Sequence, residues 1–311
     1  MKRLKSMIKV LTLPQKEAEE YCRDSRYKRY EKKGAYAEFI LFHNMLHHIL
    51  VYVLKLQRVL KKQKIILVGD ERIKTDRPVI FAGTHIGGDD VETAFEVLKT
   101  PCWLLLGDPK EIYRNSAGLM LDLNGVICFD TAHKRDRQIA KERCIALLKK
   151  GGNLLIFPEG AWNISPNQLV MHLFPGVAEM ARECGAEIVP FAIGRNGKTY
   201  YVNIGGAIRV EQDDPANKYG ITAALRDTLA SLKWEIIEKS PPQKRNEIPA
   251  NYSQKYLDEV MGTQVATYSV QDVLDTKYRP KNQVDHKEVF EVLNGLQPTC
   301  GNAFLFNKRL S

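Results

Sequence analysis

The sequence predicts an α/β fold: a mixed sheet flanked by helices, with an N-terminal amphipathic helical segment and a helical C-terminal extension. Three observations carry this. Short apolar runs alternate with helical periods from residue 64 to residue 239. A basic stretch leads into an amphipathic pattern before residue 62, and a proline-containing break at 240–249 sets off a polar tail. Short continuous apolar strands with helices between them belong to a sheet covered on both faces.

The strand-like runs are KIILVG (64–69), PVIFAG (78–83), CWLLLG (102–107), GVICF (125–129), NLLIF (153–157), EIVPFAIG (187–194) and TYYVNIG (199–205). Helical patterns fall at 90–99, 111–122, 133–150 and 175–184, and a longer one runs over 216–239. SPPQKRNEIP (240–249) reads as a linker, and 250–311 as a polar helical extension. The chain thus divides into 1–62, a basic amphipathic helical segment, 63–239, the domain that carries the chemistry, and 240–311, linker and extension. Pro190 interrupts its strand, which predicts an edge or a bulge there and a groove wall beside it.

The chain of 311 residues carries a net charge of +9, which favours an anionic partner. Residues 1–33 hold eleven Lys/Arg against five acids, about two thirds of that excess. The following stretch places Phe42, Met45, Leu46, Ile49, Leu50, Val53, Leu56 and Leu60 at helical spacing. His43, Asn44, His47, His48, Lys55 and Arg58 lie largely on the other side. The run from Phe39 to Leu54 makes roughly 24 Å of helix, short of a bilayer core of about 30 Å. Two readings fit: a helix lying on an anionic lipid surface, or one covering the core of its own domain. HNMLHH (43–48) lacks the acid of a zinc-binding H-E-x-x-H, and no metal is expected. The six scattered cysteines read as buried reduced thiols, and the broken apolar start does not read as a signal peptide. Cytoplasmic location, peripheral on the inner face of the cell membrane, follows as the expectation.

GTHIGGDDVETAF (83–95) carries the chemistry. It joins a predicted strand to a predicted helix, at the strand carboxyl end where open α/β sheets place ligands. Asp89 with Glu92 three residues on fits a capping box. That explains one aspartate and leaves His85 and Asp90. Gly87 and Gly88 allow a tight turn, so Asp90 can fold back onto His85. A carboxylate on one imidazole nitrogen fixes the tautomer and frees the other nitrogen to take a proton. Such a dyad suits deprotonation of an alcohol as it attacks. Farther on, FPEG (157–160) puts Glu159 and Gly160 directly after a buried strand, where a carboxylate can hold a substrate hydroxyl.

Four blocks in this order resemble the glycerolipid acyltransferases, the group that contains bacterial 1-acyl-glycerol-3-phosphate acyltransferases. THIGGDD resembles the family's N-H-x-x-x-x-D block, with His85 and Asp90 in its two fixed places. GVICFD (125–130), FPEG (157–160) and IVPFAIG (188–194) resemble its second, third and fourth blocks, so that the resemblance covers about residues 64–210. It implies a catalytic domain at 63–239 that transfers a fatty acyl group from acyl-CoA or acyl-carrier protein to a hydroxyl of a lysolipid, 1-acyl-glycerol-3-phosphate first among them, in phospholipid synthesis. His85 would be the general base and Asp90 its orienting acid, and Glu159 and Gly160 would help bind the acceptor. No cofactor is implied beyond the acyl thioester as co-substrate, and a membrane lipid surface is the implied setting. The thioester is already activated, so one base and an oxyanion site suffice.

The chain departs from the family at three points. Thr84 stands where the family has Asn, Thr131 where a basic residue follows the second block, and Trp162 where the third block has arginine. Lys134, Arg135 and Arg137 lie just downstream and are candidates for the acceptor phosphate, or else form a solvated first helical turn. A glycolipid or other non-phosphate acceptor stays open beside the lysophosphatidate. Among other classes, a serine hydrolase needs G-x-S-x-G, which is missing, and GRNGKT (194–199) lacks the first glycine of a P-loop. The basic residues crowd a lipid-like helix rather than an aromatic platform, so no nucleic-acid partner is expected. A non-catalytic basic protein of the membrane surface is the rival reading.

Overall fold

Seven strands form at the seven apolar runs: β1 Lys64–Asp70, β2 Val79–Gly83, β3 Trp103–Gly107, β4 Val126–Phe129, β5 Leu154–Ile156, β6 Glu187–Asn196 and β7 Thr199–Ile204. The computed structural model describes residues 9–36, 39–109, 112, 114–211, 217–242, 244–262 and 268–280. They pair into one mixed sheet in the order β1-β7-β6-β2-β5-β3-β4. β6, β2, β5, β3 and β4 run parallel, β6 and β7 are antiparallel, and β7 and β1 are parallel.

Side chains alternate across a strand, and this splits the core between two faces. Ile80, Ala82, Leu154, Ile156 and Ile188 point to one face with α5 (Lys134–Lys149), α6 (Gly176–Cys184) and α7 (Lys218–Lys239). Val79, Phe81, Leu155, Val189 and Phe191 point to the other, under α2 (Ile40–Leu60) and α3 (Asp90–Leu98). α1 (Gln15–Lys33) precedes these, and α4 (Ser116–Asn124) lies between β3 and β4. α8 (Tyr252–Gly262) and α9 (Val270–Thr276) follow the linker. The chain divides into a compact unit Met1–Tyr278, which holds every named element, and a second unit Arg279–Ser311. The part of the predicted extension over 281–311, with Cys300, lies outside the described residues.

Two local expectations are corrected, and two that the sequence left open are decided. α4 starts at 116 rather than 111, because the Asn115 side chain caps it by accepting from the Gly118 amide at 3.1 Å. β1 is not covered on both faces: it is an edge strand with Ile66 and Leu67 exposed. Pro190 sits in a central strand rather than at an edge. Between Ile188, which bridges Ile208, and Phe191, which pairs with Ile204, the antiparallel register slips by one residue, and the proline falls in that interruption.

The fourth concerns α2, for which the sequence left two readings. The face it turns to the protein mixes polar and apolar residues. His47, Val51, Leu54 and Arg58 are its buried residues. His43 Nδ1 bonds the Leu123 carbonyl at 2.8 Å, and His47 Nδ1 bonds Asn124 Oδ1 at 2.6 Å. Arg58 donates to Glu96 at 2.7 Å and to Thr93 at 3.0 Å. His43 and His47 are thus engaged with α4, and the exposed His48 meets the His47 ring edge-on at 5.9 Å. Phe42, Met45, Ile49, Val53, Leu56 and Leu60 are exposed, as are Leu119 and Leu123 of the neighbouring α4. No helix among the described residues is long and apolar enough to cross a membrane.

Candidate active site

The loop between β2 and α3 folds back on itself. Gly87 and Gly88 take φ of 76° and 65°, the left-handed region that glycine enters without a Cβ clash. This turn brings Asp90 Oδ2 to 2.8 Å from His85 Nδ1. The same oxygen accepts the amides of Ile86 at 3.0 Å and Gly87 at 2.8 Å. Asp90 is only 2% exposed, so its position is fixed by three donors away from water. A carboxylate only accepts, so His85 Nδ1 carries the proton and Nε2 holds the lone pair. Among the described residues nothing bonds Nε2, and the ring is 19% exposed.

The expected capping box is not formed. Asp89 occupies the N-cap of α3 without capping it; its carboxylate bonds Lys61 at 2.9 Å and Gln63 at 2.6 Å instead. Glu92 is desolvated beside Asp89 and Asp90, and its carboxyl is pushed up to about 7. In the unfolded chain it titrates near its ordinary 4.5. The folded state therefore holds a proton that the unfolded state releases, and the stability from this group, complete below 4.5, is lost as pH rises through about 7. Glu92→Gln should match the parent near pH 4 and exceed it at pH 8 by on the order of 1–3 kcal/mol. Denaturant unfolding at the two pH values checks this; equal stability differences at both would refute it.

The third and fourth blocks clamp the histidine from behind. Glu159 accepts the His85 amide at 2.9 Å and the Met171 amide at 2.8 Å. The Asn163 amide donates to the His85 carbonyl at 2.8 Å. The Phe157 ring stacks on the imidazole, centroids 4.4 Å apart and planes 18° apart, and the Trp162 ring meets it edge-on at 6.1 Å. Thr84 is buried, and its hydroxyl accepts the Ile193 amide at 2.9 Å, tying the end of β2 to the fourth block. Lys233 of α7 donates its ammonium to the Ile193 carbonyl. Burial pushes that ammonium down to about 8, while the Glu159 and Asp90 carboxylates hold it up.

Glu159 thus has a different task from the one its sequence position suggests. It is 0% exposed with its oxygens on backbone amides, so it holds the loop that holds His85 and offers no surface to a substrate hydroxyl. Burial also pushes its carboxyl up, against the pull of the two amides, His85 and Lys233. Gly160 is exposed at φ 72°, and a Cβ there would come within 2.3 Å of the Phe174 ring, so its role in the structure is the turn itself.

The second block stands apart. It ends at the sheet edge, where Asp130 meets Arg23 of α1 at 2.8 Å. Arg26 of α1 grips the buried Asp136, which also accepts the Asp130 amide at 2.7 Å. Lys134, Arg135 and Arg137 are exposed on the first turn of α5. Arg135 pairs with Glu31 at 2.7 Å and lies over the Tyr27 ring, and Arg137 donates to the Thr131 carbonyl. The structure places Arg135 against α1 and Arg137 on its own turn, and among the described residues none of the three bonds His85. A groove of about 720 Å³ lined by Lys141, Glu179, Arg182 and Lys218 shares no residue with the histidine cluster, and both its lysines are paired with Glu179.

Residues 64–194 match the family model described as Acyltransferase. This segment is similar to the acyltransferase family. The resemblance read from the four blocks therefore holds, and the His85 cluster lies inside the matched domain. A curated relative, 1-acyl-sn-glycerol-3-phosphate acyltransferase of Borreliella burgdorferi, is 25% identical over 187 residues, covering 56% of this chain and 73% of the relative. The crystal structure of the 1-acyl-sn-glycerophosphate (LPA) acyltransferase PlsC from Thermotoga maritima aligns with 77% of this chain and 89% of that chain, at 13% identity and a TM-score of 0.49.

Within the matched segment, sequence reasoning paired His85 with Asp90, as the structure does, and missed what surrounds the pair. Phe157 stood in a quoted block but looked like the end of an apolar strand. Asn163 carried no signal beyond following the block. Lys233 and the C-terminal Tyr268, which packs on Trp162, lie far along the chain and nothing in their local pattern points to the site.

Proposed function

We propose that this protein moves a fatty acyl group from a thioester donor, acyl-CoA or acyl-carrier protein, to a hydroxyl of a lysolipid at a membrane surface. The observation that carries the reading is the His85–Asp90 pair at 2.8 Å with Nε2 open, inside the family-matched domain. Nε2 takes the proton of the lipid hydroxyl as its oxygen attacks the thioester carbonyl. The imidazolium that forms is stabilised by the Asp90 carboxylate. The tetrahedral intermediate then expels the thiolate, which takes the proton back from Nε2. An ester and a free thiol result, and the histidine is restored. The Ile86 and Gly87 amides already point at Asp90, so they orient the base rather than receive the oxyanion.

The relative from Borreliella is named for 1-acyl-sn-glycerol-3-phosphate, which makes that lipid the reference acceptor here, in phospholipid synthesis. The test is thiol release when the protein is incubated with acyl-CoA or acyl-carrier protein and lysolipid, together with the appearance of the diacyl product. Lipid binding with no thiol released would leave the non-catalytic membrane-surface reading standing instead.

The setting rests on α2. A helix that buries His47, Val51, Leu54 and Arg58 against the protein and still leaves Phe42, Met45, Ile49, Val53, Leu56 and Leu60 exposed carries an apolar face that its own core does not use. An apolar outer face beside the basic α1, with Lys28, Arg29 and Lys32 exposed, suits an anionic lipid surface on the cytoplasmic side of the cell membrane. Replacing Leu41, Ile49 and Leu56, which are 85%, 54% and 62% exposed, by glutamate removes apolar contact without touching the core. The triple variant should sediment with anionic liposomes roughly tenfold less or worse, with its melting temperature unchanged. Undiminished sedimentation would remove α2 from the lipid contact.

A further inference from the structure

Beside the His85 ring stands a wall that the family-matched segment does not complete. Trp162 meets the imidazole edge-on at 6.1 Å, and Tyr268 meets Trp162 edge-on at 5.1 Å. Tyr268 lies between α8 and α9, beyond the matched residues 64–194. Those two helices are docked in place. Val273 of α9 is buried with Ala161 and Met171, and Met261 of α8 packs on the same cluster. The Tyr256 hydroxyl donates to the Asn163 carbonyl at 3.2 Å, and Tyr278 packs on Phe174, centroids 4.9 Å apart. The extension therefore grips the same loop, 158–174, that holds the histidine.

The chemistry of this wall is aromatic and acidic. The Tyr268 hydroxyl donates to the Asp108 carbonyl. The Asp108 carboxylate accepts the Thr131 amide at 2.8 Å and the Thr131 hydroxyl. The arginines bonded to this loop and to the added helices are engaged: Arg226 with the carbonyls of Val170 and Met171, Arg195 with Glu259 at 2.6 Å. A phosphomonoester brought here would be desolvated against rings and near a carboxylate, with both of these guanidinium groups already engaged. A sugar or glycerol face asks for something else: a flat ring for its C–H groups and a donor for a hydroxyl oxygen. Trp162 supplies both, since its indole N–H bonds no other described residue.

Resting on the acyl-transfer reading above, we infer that the acceptor is a lysolipid with an uncharged polyol or sugar headgroup, held on Trp162, and that the extension builds this part of the site through Tyr268. Trp162 is the specificity residue. Tyr268 is a positioning residue that acts through Trp162.

The test uses the full chain, with palmitoyl-CoA and palmitoyl-carrier protein as donors. The acceptors are 1-acylglycerol, 1-acyl-3-glucosylglycerol and 1-acyl-glycerol-3-phosphate in mixed micelles. The neutral acceptors should show kcat/KM about tenfold or more above the phosphate. Trp162→Arg should reverse that order, and Trp162→Phe, which keeps a ring, should not. Tyr268→Ala should raise KM for the neutral acceptors several-fold with kcat retained, and Tyr268→Phe should restore it. A parent preference for the phosphate acceptor, or a ratio unmoved by Trp162→Arg in a variant that melts normally, overturns the headgroup assignment while acyl transfer stands. Thiol release with none of the three acceptors overturns acyl transfer itself and the assignment with it.

Discussion

His85→Ala should abolish acyl transfer, lowering thiol release by about 10²–10⁴-fold, and leave the fold in place. The loss follows from the atom removed. Nε2 is the lone pair that the cluster leaves open, and its partner nitrogen is fixed by a buried carboxylate. The fold survives because what holds the loop is not the imidazole. Asp90 keeps the Ile86 and Gly87 amides, Glu159 keeps the backbone amide of residue 85, and Asn163 keeps its carbonyl. The cost is a small void over Phe157, on the order of 1 kcal/mol for a ring already partly in water. Single-turnover thiol release and a thermal melt on one preparation separate the two effects. Near-normal turnover in the variant would remove His85 as the base, whatever the melt showed.

The sheet was legible because each strand that lies in its interior is a short apolar run bounded by polar residues or glycine. β2, VIFAG, is buried at all five positions and β6 at its first eight. β1 has the same apolar look but lies at an edge, and no pattern within a strand reveals which neighbours it will have. α2 stayed open for a related reason. Periodicity shows that a helix has two faces and not which one turns inward. Here hydrogen bonds from His43, His47 and Arg58 decide it, and each partner comes from a distant part of the chain.

At the site, the local pair was legible and the long-range clamp was not. His85 and Asp90 are five residues apart across two glycines, so their meeting needs only one turn. Glu159 was visible as a residue of interest, yet its partners are the His85 and Met171 amides, which leave no trace in side-chain identity. Lys134, Arg135 and Arg137 attracted attention by charge alone. α1 carries Glu31 against Arg135, and its Arg23 and Arg26 take up Asp130 and Asp136. A count of charges cannot foresee such pairing.

Asp90→Asn should lower kcat by about 10²–10³-fold, less than loss of the histidine, with KM for the acceptor little changed. One oxygen of Asp90 serves His85 Nδ1, the Ile86 amide and the Gly87 amide at 2.8, 3.0 and 2.8 Å. An amide oxygen in that place still accepts all three, so the loop keeps its turn, but the charge that stabilises the imidazolium is gone. If the amide turns its NH₂ to the histidine, Nδ1 becomes the acceptor, the proton moves to Nε2, and the base has no lone pair to offer. Both orientations slow the chemical step, and neither touches the groups that would bind lipid. The NH₂ orientation also sets donor against the two amides, so a stability loss of about 1–2 kcal/mol accompanies it. The decisive readout is the split between kcat and KM in a variant whose melt is shifted by no more than that. A kcat equal to the parent's would take Asp90 out of the mechanism and leave it a structural tie of the glycine turn. A collapse of kcat with acceptor KM unchanged is what orientation and charge on a single imidazole require.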